Sequence, residues 1–256
     1  MSLLDAAAQV LRCYGADCTD LTVTELVTRL GMPKSNASRL LRAMRDAGLL
    51  ENVGASKRYR PGLLLVDAAR VYLRASSLIA RADAMLARIV ADCGHTGHIA
   101  LREGREVTAI TDHPGTKALR VASSIGTLLA AFASATGRSL LARLPEAEVR
   151  ALYAAGFAPP SPSAPQDMAD LLRRLEEVRR RAYATANDEA SRGIGAVAVA
   201  IVDPRDGQAV SLCIAYPAAT TDAAERRSLL AALLDGAAEI AALVGDATHA
   251  VRPRAG

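Results

Sequence analysis

The stretch "LGMPKSNASRLLRAMRDAGLLE", residues Leu30–Glu51, decides how the chain is read. Pro33 suits the first turn of a helix, where its missing N–H costs nothing. Two short polar residues, Ser35 and Asn36, follow it, and Lys34, Arg39, Arg42 and Arg45 are interleaved with Leu40, Leu41 and Met44. The three apolar residues recur at helical spacing and form a buried stripe. A basic amphipathic helix of this kind is either a solvated surface element or one built to lie in a DNA groove. Its neighbours decide between the two.

Upstream, Leu3, Leu4, Ala7, Val10 and Leu11 predict a first helix over residues 2–14. In "TVTE", Thr22 stands three residues before Glu25, the spacing at which two side chains satisfy each other's backbone donors at a helix start. Leu26, Val27 and Leu30 continue a short second helix, which Gly31 can end in a left-handed turn. Two short helices, a glycine turn and a longer last helix match the helix-turn-helix pattern. There the N-terminal residues of the last helix meet base edges, which here means Lys34, Ser35, Asn36 and Arg39. Asn can pair with adenine and Arg with guanine through two hydrogen bonds. Arg42 follows on the same helix. Downstream, "LLENVGASKRYRPG" predicts a hairpin wing, with strands Leu49 to Val53 and Lys57 to Arg60 about a turn at Gly54-Ala55-Ser56. Lys57, Arg58 and Arg60 would contact phosphates there, fixing register without reading sequence. Each feature alone is commonplace. Their order, with positive charge on the last helix and the hairpin, points to DNA.

The totals agree. Of 31 Lys or Arg and 27 Asp or Glu, the first 76 residues hold eleven and seven, and the remaining 20 and 20 leave the rest neutral. A basic module joined to a neutral one suggests a polyanion reader attached to something else. At 256 residues there is length for two domains. Although 51% of residues are hydrophobic, no run approaches the roughly 18 apolar residues of a membrane helix. Asp5 and the absence of a basic start in "MSLLDAAAQVL" argue against a signal peptide. Cys13, Cys18, Cys93 and Cys213 form no framework, which suits a reducing cytoplasm.

The run "LTVTELVTRLGMPKSNASRLLRAMRDAGLLENVGASKRYRPG" resembles the winged helix-turn-helix of the IclR family of bacterial transcriptional regulators, including its Pro-Lys-Ser start. "ASATGRSLLARLPEAEVRALYAAG" is similar to that family's Gly-centred helix. "LEEVRRRAYATANDEASRGIGAVAVAIVDPRDGQAVSLCIAYP" resembles its terminal βαβ-like run, with Glu189, Gly193 and Asp203-Pro204 in the expected places. The resemblance covers nearly the whole chain. It implies an α+β fold: a winged helix-turn-helix at residues 1–62, including Thr22 among its DNA contacts, a linker helix at 63–77, and a GAF-like α/β effector-binding domain at 78–247. A tail at 248–256 is expected to be loose. Double-stranded operator DNA, a small organic effector, and a homodimer or dimer of dimers are the implied partners, without membrane or cofactor.

Within the second part, residues 63 to 93 read as helical with a break near Ser76-Ser77. "GHIALREGREVTAITDH" reads as two strands joined at Glu103-Gly104-Arg105. Residues 117–122 are expected to add a strand, Leu128 to Arg143 a helix and Glu146 to Ala155 another. "GFAPPSPSAPQD" is a surface loop, and 167–182 a charged helix. "GAVAVAIVD" and "AVSLCIAYP" pair as strands, and 222–243 forms the last helix.

The resemblance places Ile194, Ala196, Cys213 and Ala215 on the floor of an effector pocket, with Ala133 and Ser134 looking in from the Gly137 helix and Asn187 standing where the family has an acidic or polar residue. Alternation supports the floor grouping, since side chains two apart on a strand share a face. Ala196, Cys213 and Ala215 offer little hydrogen bonding, and Ala130-Ala131-Phe132 replaces the family's Pro-Leu-His. A carboxylate buried without donors is costly, so an apolar or aromatic effector is expected. Cys93, His95, His98 and His113 are metal-like residue types, though helix-end and surface histidines are the commoner reading. Ser139, Cys213 and the histidines supply nucleophile sets on paper only, with no nucleophile elbow or phosphate loop. Three function classes remain. They are a ligand-responsive transcription factor, a GAF-type signalling domain or enzyme with a fused winged module, and a structural nucleoid protein. The first uses every feature.

Overall fold

A computed structural model describes residues 2–15, 18–121 and 128–249. The chain divides into two compact units, Met1–Ser76 and Ser77–Gly256.

In the first unit, α1 (Leu3–Arg12) and α2 (Val23–Leu30) both begin in reciprocal capping boxes, Ser2 with Asp5 and Thr22 with Glu25. α2 ends on Gly31, whose φ of 63° is left-handed, a conformation glycine adopts without a Cβ penalty. Pro33 then caps α3 (Lys34–Asp46). Leu26 from α2 and Ala37, Leu40, Leu41 and Met44 from α3 form the core with Val10, Leu21, Leu50 and Tyr59. The wing is β1 (Leu50–Asn52) against β2 (Tyr59–Pro61), antiparallel. Leu21 extends it, exchanging both backbone bonds with Tyr59 at 2.8 and 2.7 Å. α4 (Leu63–Ala75) follows and ends at Ser76, whose backbone is extended.

The second unit is one six-stranded antiparallel sheet in the order β5-β4-β3-β8-β7-β6. Its strands are β3 (Thr96–Glu103), β4 (Glu106–His113), β5 (Leu128–Ala130), β6 (Ala184–Asn187), β7 (Ile194–Val202) and β8 (Ala209–Pro217). α5 (Ser77–Cys93) and α9 (Ala223–Val244) cover one face, and α6 (Ala135–Leu141) and α8 (Met168–Arg181) the other, with α7 (Glu146–Leu152) between them in sequence. Strand alternation shows the two faces directly. Gly97 lies so close to Val90 and Leu86 of α5 that a Cβ there would clash, whereas the neighbouring His98 reaches Thr136 of α6.

The segment 128–143 departs from the expected single helix. Leu128–Ala130 instead pairs with the free edge of β4, Glu106 opposite Ala130, and Ala131–Ala133 forms a 3₁₀ turn before α6 starts. Pairing the open strand edge satisfies backbone groups that a longer helix would leave exposed on β4, and a short apolar run cannot be assigned by periodicity alone. Gly137 makes the chain reversal possible: a Cβ on it would lie 2.2 Å from the Ala131 carbonyl oxygen. Residues 117–121 form no strand, and the rest of that expected strand lies outside the described residues. The first two residues of the expected loose tail, Thr248 and His249, are held by hydrogen bonds. The Thr248 N–H donates to Asp246, and His249 meets the Ala200 carbonyl at 2.8 Å. Residues 250–256 lie outside the described set.

Candidate DNA-binding surface and effector cavity

Four of the residues at the start of α3, Lys34, Ser35, Asn36 and Arg39, lie on its outer face, as does Arg42 one turn on. Burial of Ala37, Leu40, Leu41 and Met44 turns the other face inward and leaves this one to solvent. Arg39 donates to the Asn36 side-chain oxygen at 2.9 Å, and Arg42 to the Ser38 hydroxyl at 2.9 Å. The first pair holds a guanidinium and an amide side by side on the outer face, the two groups best suited to guanine and adenine edges.

The wing differs from its sequence reading. Lys57 is exposed, but Arg58 donates to Asp20 at 2.5 Å and to Glu25 at 3.1 Å. Its guanidinium ties the hairpin to the start of α2. Glu25 is held below the usual carboxylate range chiefly by the Thr22 backbone N–H, with Thr22's hydroxyl and Arg58 adding to the effect. Arg58 is thus paired with two carboxylates of the first unit, whereas Lys57 beside it is exposed. Arg60 is exposed yet pairs with Glu51 at 2.6 Å. Thr22 uses its hydroxyl oxygen to accept the Glu25 N–H.

In the second unit a cavity of about 270 Å³ lies between the sheet and the α6 side. Two rows of facing residues cross the strands beneath it. One runs Thr96, Ala215, Ala196, Ala186, and the next His98, Cys213, Ala198, Ala184. Ile194 extends the floor, Ser134, Ala135 and Thr136 roof it, and Val121, Leu129, Ala190 and Ser191 close the sides. Ser134, Ile194, Ala196, Cys213 and Ala215 are thus brought together.

Two expected residues are not. Ala133, in the 3₁₀ turn, is fully buried in the core and does not line the cavity. Asn187 is exposed and bonds Asp188. Strand alternation puts its neighbour Ala186 on the cavity side instead. Sequence reasoning missed His98, Thr96 and Thr136. Position parity on β3 places Thr96 and His98 on one face, but the sequence does not show that this face lies under α6.

Burial pushes the His98 imidazole down to about 4 and the Cys213 thiol up to about 12, so both are neutral in ordinary buffer. His98 meets the Thr136 hydroxyl at 3.3 Å. The other histidines are apart from it: His95 pairs with Glu225 and His113 with Asp83. Among the described residues no group of three or more metal-ligating side chains assembles.

The loop bearing Ala190 and Ser191 is anchored by Glu189. This carboxylate and Arg138 of α6 are both buried and joined by two contacts of 2.5 and 3.0 Å. Arg138 also donates to the carbonyls of Phe132 and Thr185.

A helix-turn-helix with a wing, followed by a second unit that encloses a cavity on one side of an antiparallel sheet, is matched by known proteins along its length. Residues 3–54 match the IclR helix-turn-helix domain, and residues 70–242 match the family described as bacterial transcriptional regulator IclR C-terminal. The chain belongs to the IclR family. It is a transcriptional regulator with a DNA-binding N-terminal unit and an effector-binding C-terminal unit. It is 26% identical to the HTH-type transcriptional regulator XynR of Escherichia coli K12 over 223 residues, covering 87% of this chain and 88% of that one. The solved IclR transcriptional regulator from Alicyclobacillus acidocaldarius is 26% identical, with a TM-score of 0.83 over 95% of this chain and 98% of that one. An IclR homologue from Microbacterium hydrocarbonoxydans, solved with 4-hydroxybenzoate, shares the fold at 24% identity and a TM-score of 0.75, covering 94% and 100%. No helix of the described residues is long and apolar enough to cross a membrane.

Proposed function

We propose that the chain binds operator DNA with Lys34, Ser35, Asn36 and Arg39 at base edges and Arg42, Lys57 and Arg60 at phosphates, and that an apolar or aromatic effector in the C-terminal cavity controls this affinity. The observation that carries the reading is the Asn36–Arg39 pair on the outer face of α3, at the start of a helix whose opposite face is wholly committed to the core. The Microbacterium relative's complex with 4-hydroxybenzoate supports a ring-shaped ligand as the kind of molecule this fold holds.

The protein acts as a dimer or a dimer of dimers in this reading. α4 contributes no buried residue, and Leu63, Leu64, Val66, Val71 and Tyr72 on it are 43–68% exposed. On α1, Leu3 and Leu4 are exposed as well. Apolar surface of this kind is covered by association in soluble proteins. The effector would then bind one arrangement of the paired units more tightly and shift operator affinity through that preference. Burial pushes the Cys213 thiol up to about 12, so it offers no thiolate for a nucleophilic role. Action on the chain's own upstream intergenic DNA belongs to the same reading, with the protein confined to the cytoplasm.

The test is binding to that upstream duplex against a random duplex at several salt concentrations. Saturable binding that survives random competitor is expected. Equal binding to both duplexes would favour a nucleoid role, and binding to neither at low salt would sink the winged-helix reading. The cavity has its own check. Ala196→Leu places added bulk on the floor, and should abolish the effector's influence on DNA while leaving affinity in its absence within about twofold, because the two units are separate cores. An undiminished response in this variant would put the effector elsewhere.

A further inference from the structure

Charge on the wing is balanced in a way that charge on the reading helix is not. At the start of α3, Lys34 is exposed, and Arg39 and Arg42 donate to neutral side chains, those of Asn36 and Ser38. On and beside the wing, three cations, Lys57, Arg58 and Arg60, stand with three carboxylates, Asp20, Glu25 and Glu51. These six side chains sum to zero.

Arg58 is the centre of the arrangement. Its Nε donates to Asp20 Oδ1 at 2.5 Å. Its Nη2 donates to the two Glu25 oxygens at 3.2 and 3.1 Å and to the Asp20 carbonyl at 3.4 Å. Nε and Nη2 form the forked edge through which a guanidinium takes a phosphate with two parallel bonds. That edge is already occupied.

Pairs as exposed as these are individually weak, partly because two long side chains must be ordered to form them. Here the fold supplies the ordering. Asp20 precedes Leu21 and Arg58 precedes Tyr59, and Leu21 and Tyr59 exchange both backbone bonds at 2.8 and 2.7 Å. The backbone therefore sets Asp20 and Arg58 close together. Glu25 is fixed by its cap, accepting the Thr22 N–H at 2.6 Å while the Thr22 hydroxyl accepts the Glu25 N–H at 3.2 Å.

From this geometry we infer that Asp20 and Glu25 limit the affinity of the protein for DNA, by holding the forked edge of Arg58 away from phosphates. This rests on the reading of the first unit as the operator-binding unit. The electrostatic part of DNA binding is independent of sequence, so a wing cation withheld from phosphate lowers affinity for every duplex. An effector changes affinity by only about 5–150-fold in most allosteric proteins. A restrained starting affinity keeps the bound and free states within its reach.

Fluorescence anisotropy of the full-length protein over a salt series is the test, on the upstream intergenic duplex and on a random one. Asp20→Asn with Glu25→Gln removes both charges and keeps both shapes, and glutamine serves the capping position as glutamate does. This double variant should bind both duplexes about five- to tenfold more tightly near roughly 0.1 M salt. Its slope of log affinity against log salt should steepen by about one, the mark of one further phosphate contact. The two duplexes should gain alike, because a phosphate contact carries no sequence information. Arg58→Ala alone should change either affinity by less than about twofold, and in the triple variant most of the gain should disappear.

No gain in the double variant or in Asp20→Asn alone, with an unaltered melting temperature, overturns the inference. A gain that survives intact without Arg58 overturns it too, since loss of negative charge would then suffice. So does a tenfold loss from Arg58→Ala in the parent, which would put the guanidinium on a phosphate already. If the parent binds neither duplex at low salt, the operator-binding reading fails and takes this inference with it. If the parent binds and the variants match it, only this inference falls.

Discussion

Arg138→Ala should lower the stability of the protein by about 3–5 kcal/mol, the usual consequence of removing one partner of a buried ion pair. Arg138 and Glu189 are 2% and 8% exposed at the side chain, so solvent does little to screen the carboxylate left behind. The loss is not confined to one charge. The Phe132 and Thr185 carbonyls also lose their donor, and each unsatisfied buried acceptor is costly. Burial pulls the guanidinium's own pKa down against the pull of Glu189, yet an arginine remains charged under these conditions. Arg174 lies 3.4 Å from Glu189 and recovers part of the loss. In a unit of this size the melting temperature should fall by about 10 °C. Glu189 anchors the loop that carries Ala190 and Ser191 to the cavity wall, so ligand affinity should fall together with stability. Replacing both partners by apolar residues, Arg138→Met with Glu189→Leu, should recover much of the loss because no charge is then stranded. A single variant that melts within a degree or two of the parent would refute this account of the pair.

Arg39→Ala should reduce affinity for the specific operator by about one to two orders of magnitude and relax discrimination at one base position, since a good two-bond contact to a base is worth about 1–3 kcal/mol. The loss has a second part. Arg39 holds the Asn36 side-chain oxygen, so its removal frees the amide to rotate and weakens readout at a neighbouring base. Lys57→Ala should behave differently. It is expected to weaken specific and random DNA about equally and to reduce the slope of log affinity against log salt by about one. Filter binding or fluorescence anisotropy over a salt series measures both. Equal losses on the two duplexes for both variants would remove the distinction between reading and positioning. Arg58 belongs to neither class in the free protein, where it pairs with Asp20 and Glu25.

These cases show where a linear reading succeeds. The capping pair Thr22–Glu25, the glycine turn at Gly31 and the stripe of Leu40, Leu41 and Met44 are local, because each depends on residues within about four positions of one another. The two strands that end in Val202 and start at Ala209 are legible for the same reason, through the turn residues between them. The outward face at the start of α3 follows from its own periodicity.

What lay beyond the sequence is what depends on partners far along the chain. Arg58 looks like any wing cation until Asp20 and Glu25 come within reach. Asn187 and Ala133 sit in the stretches that build the cavity, but neither lines it: alternation on the short strand β6 turns Asn187 outward, and Ala133 is buried in the core. His98 and Thr136 are 38 residues apart in sequence and meet only because α6 folds back over β3. Local spacing determined the winged helix and its reading face, since hydrogen bonds and burial there close within a few residues. The shape of the effector cavity was decided by strand register and by the close approach of Gly137 to Ala131, which bring distant residues to one wall.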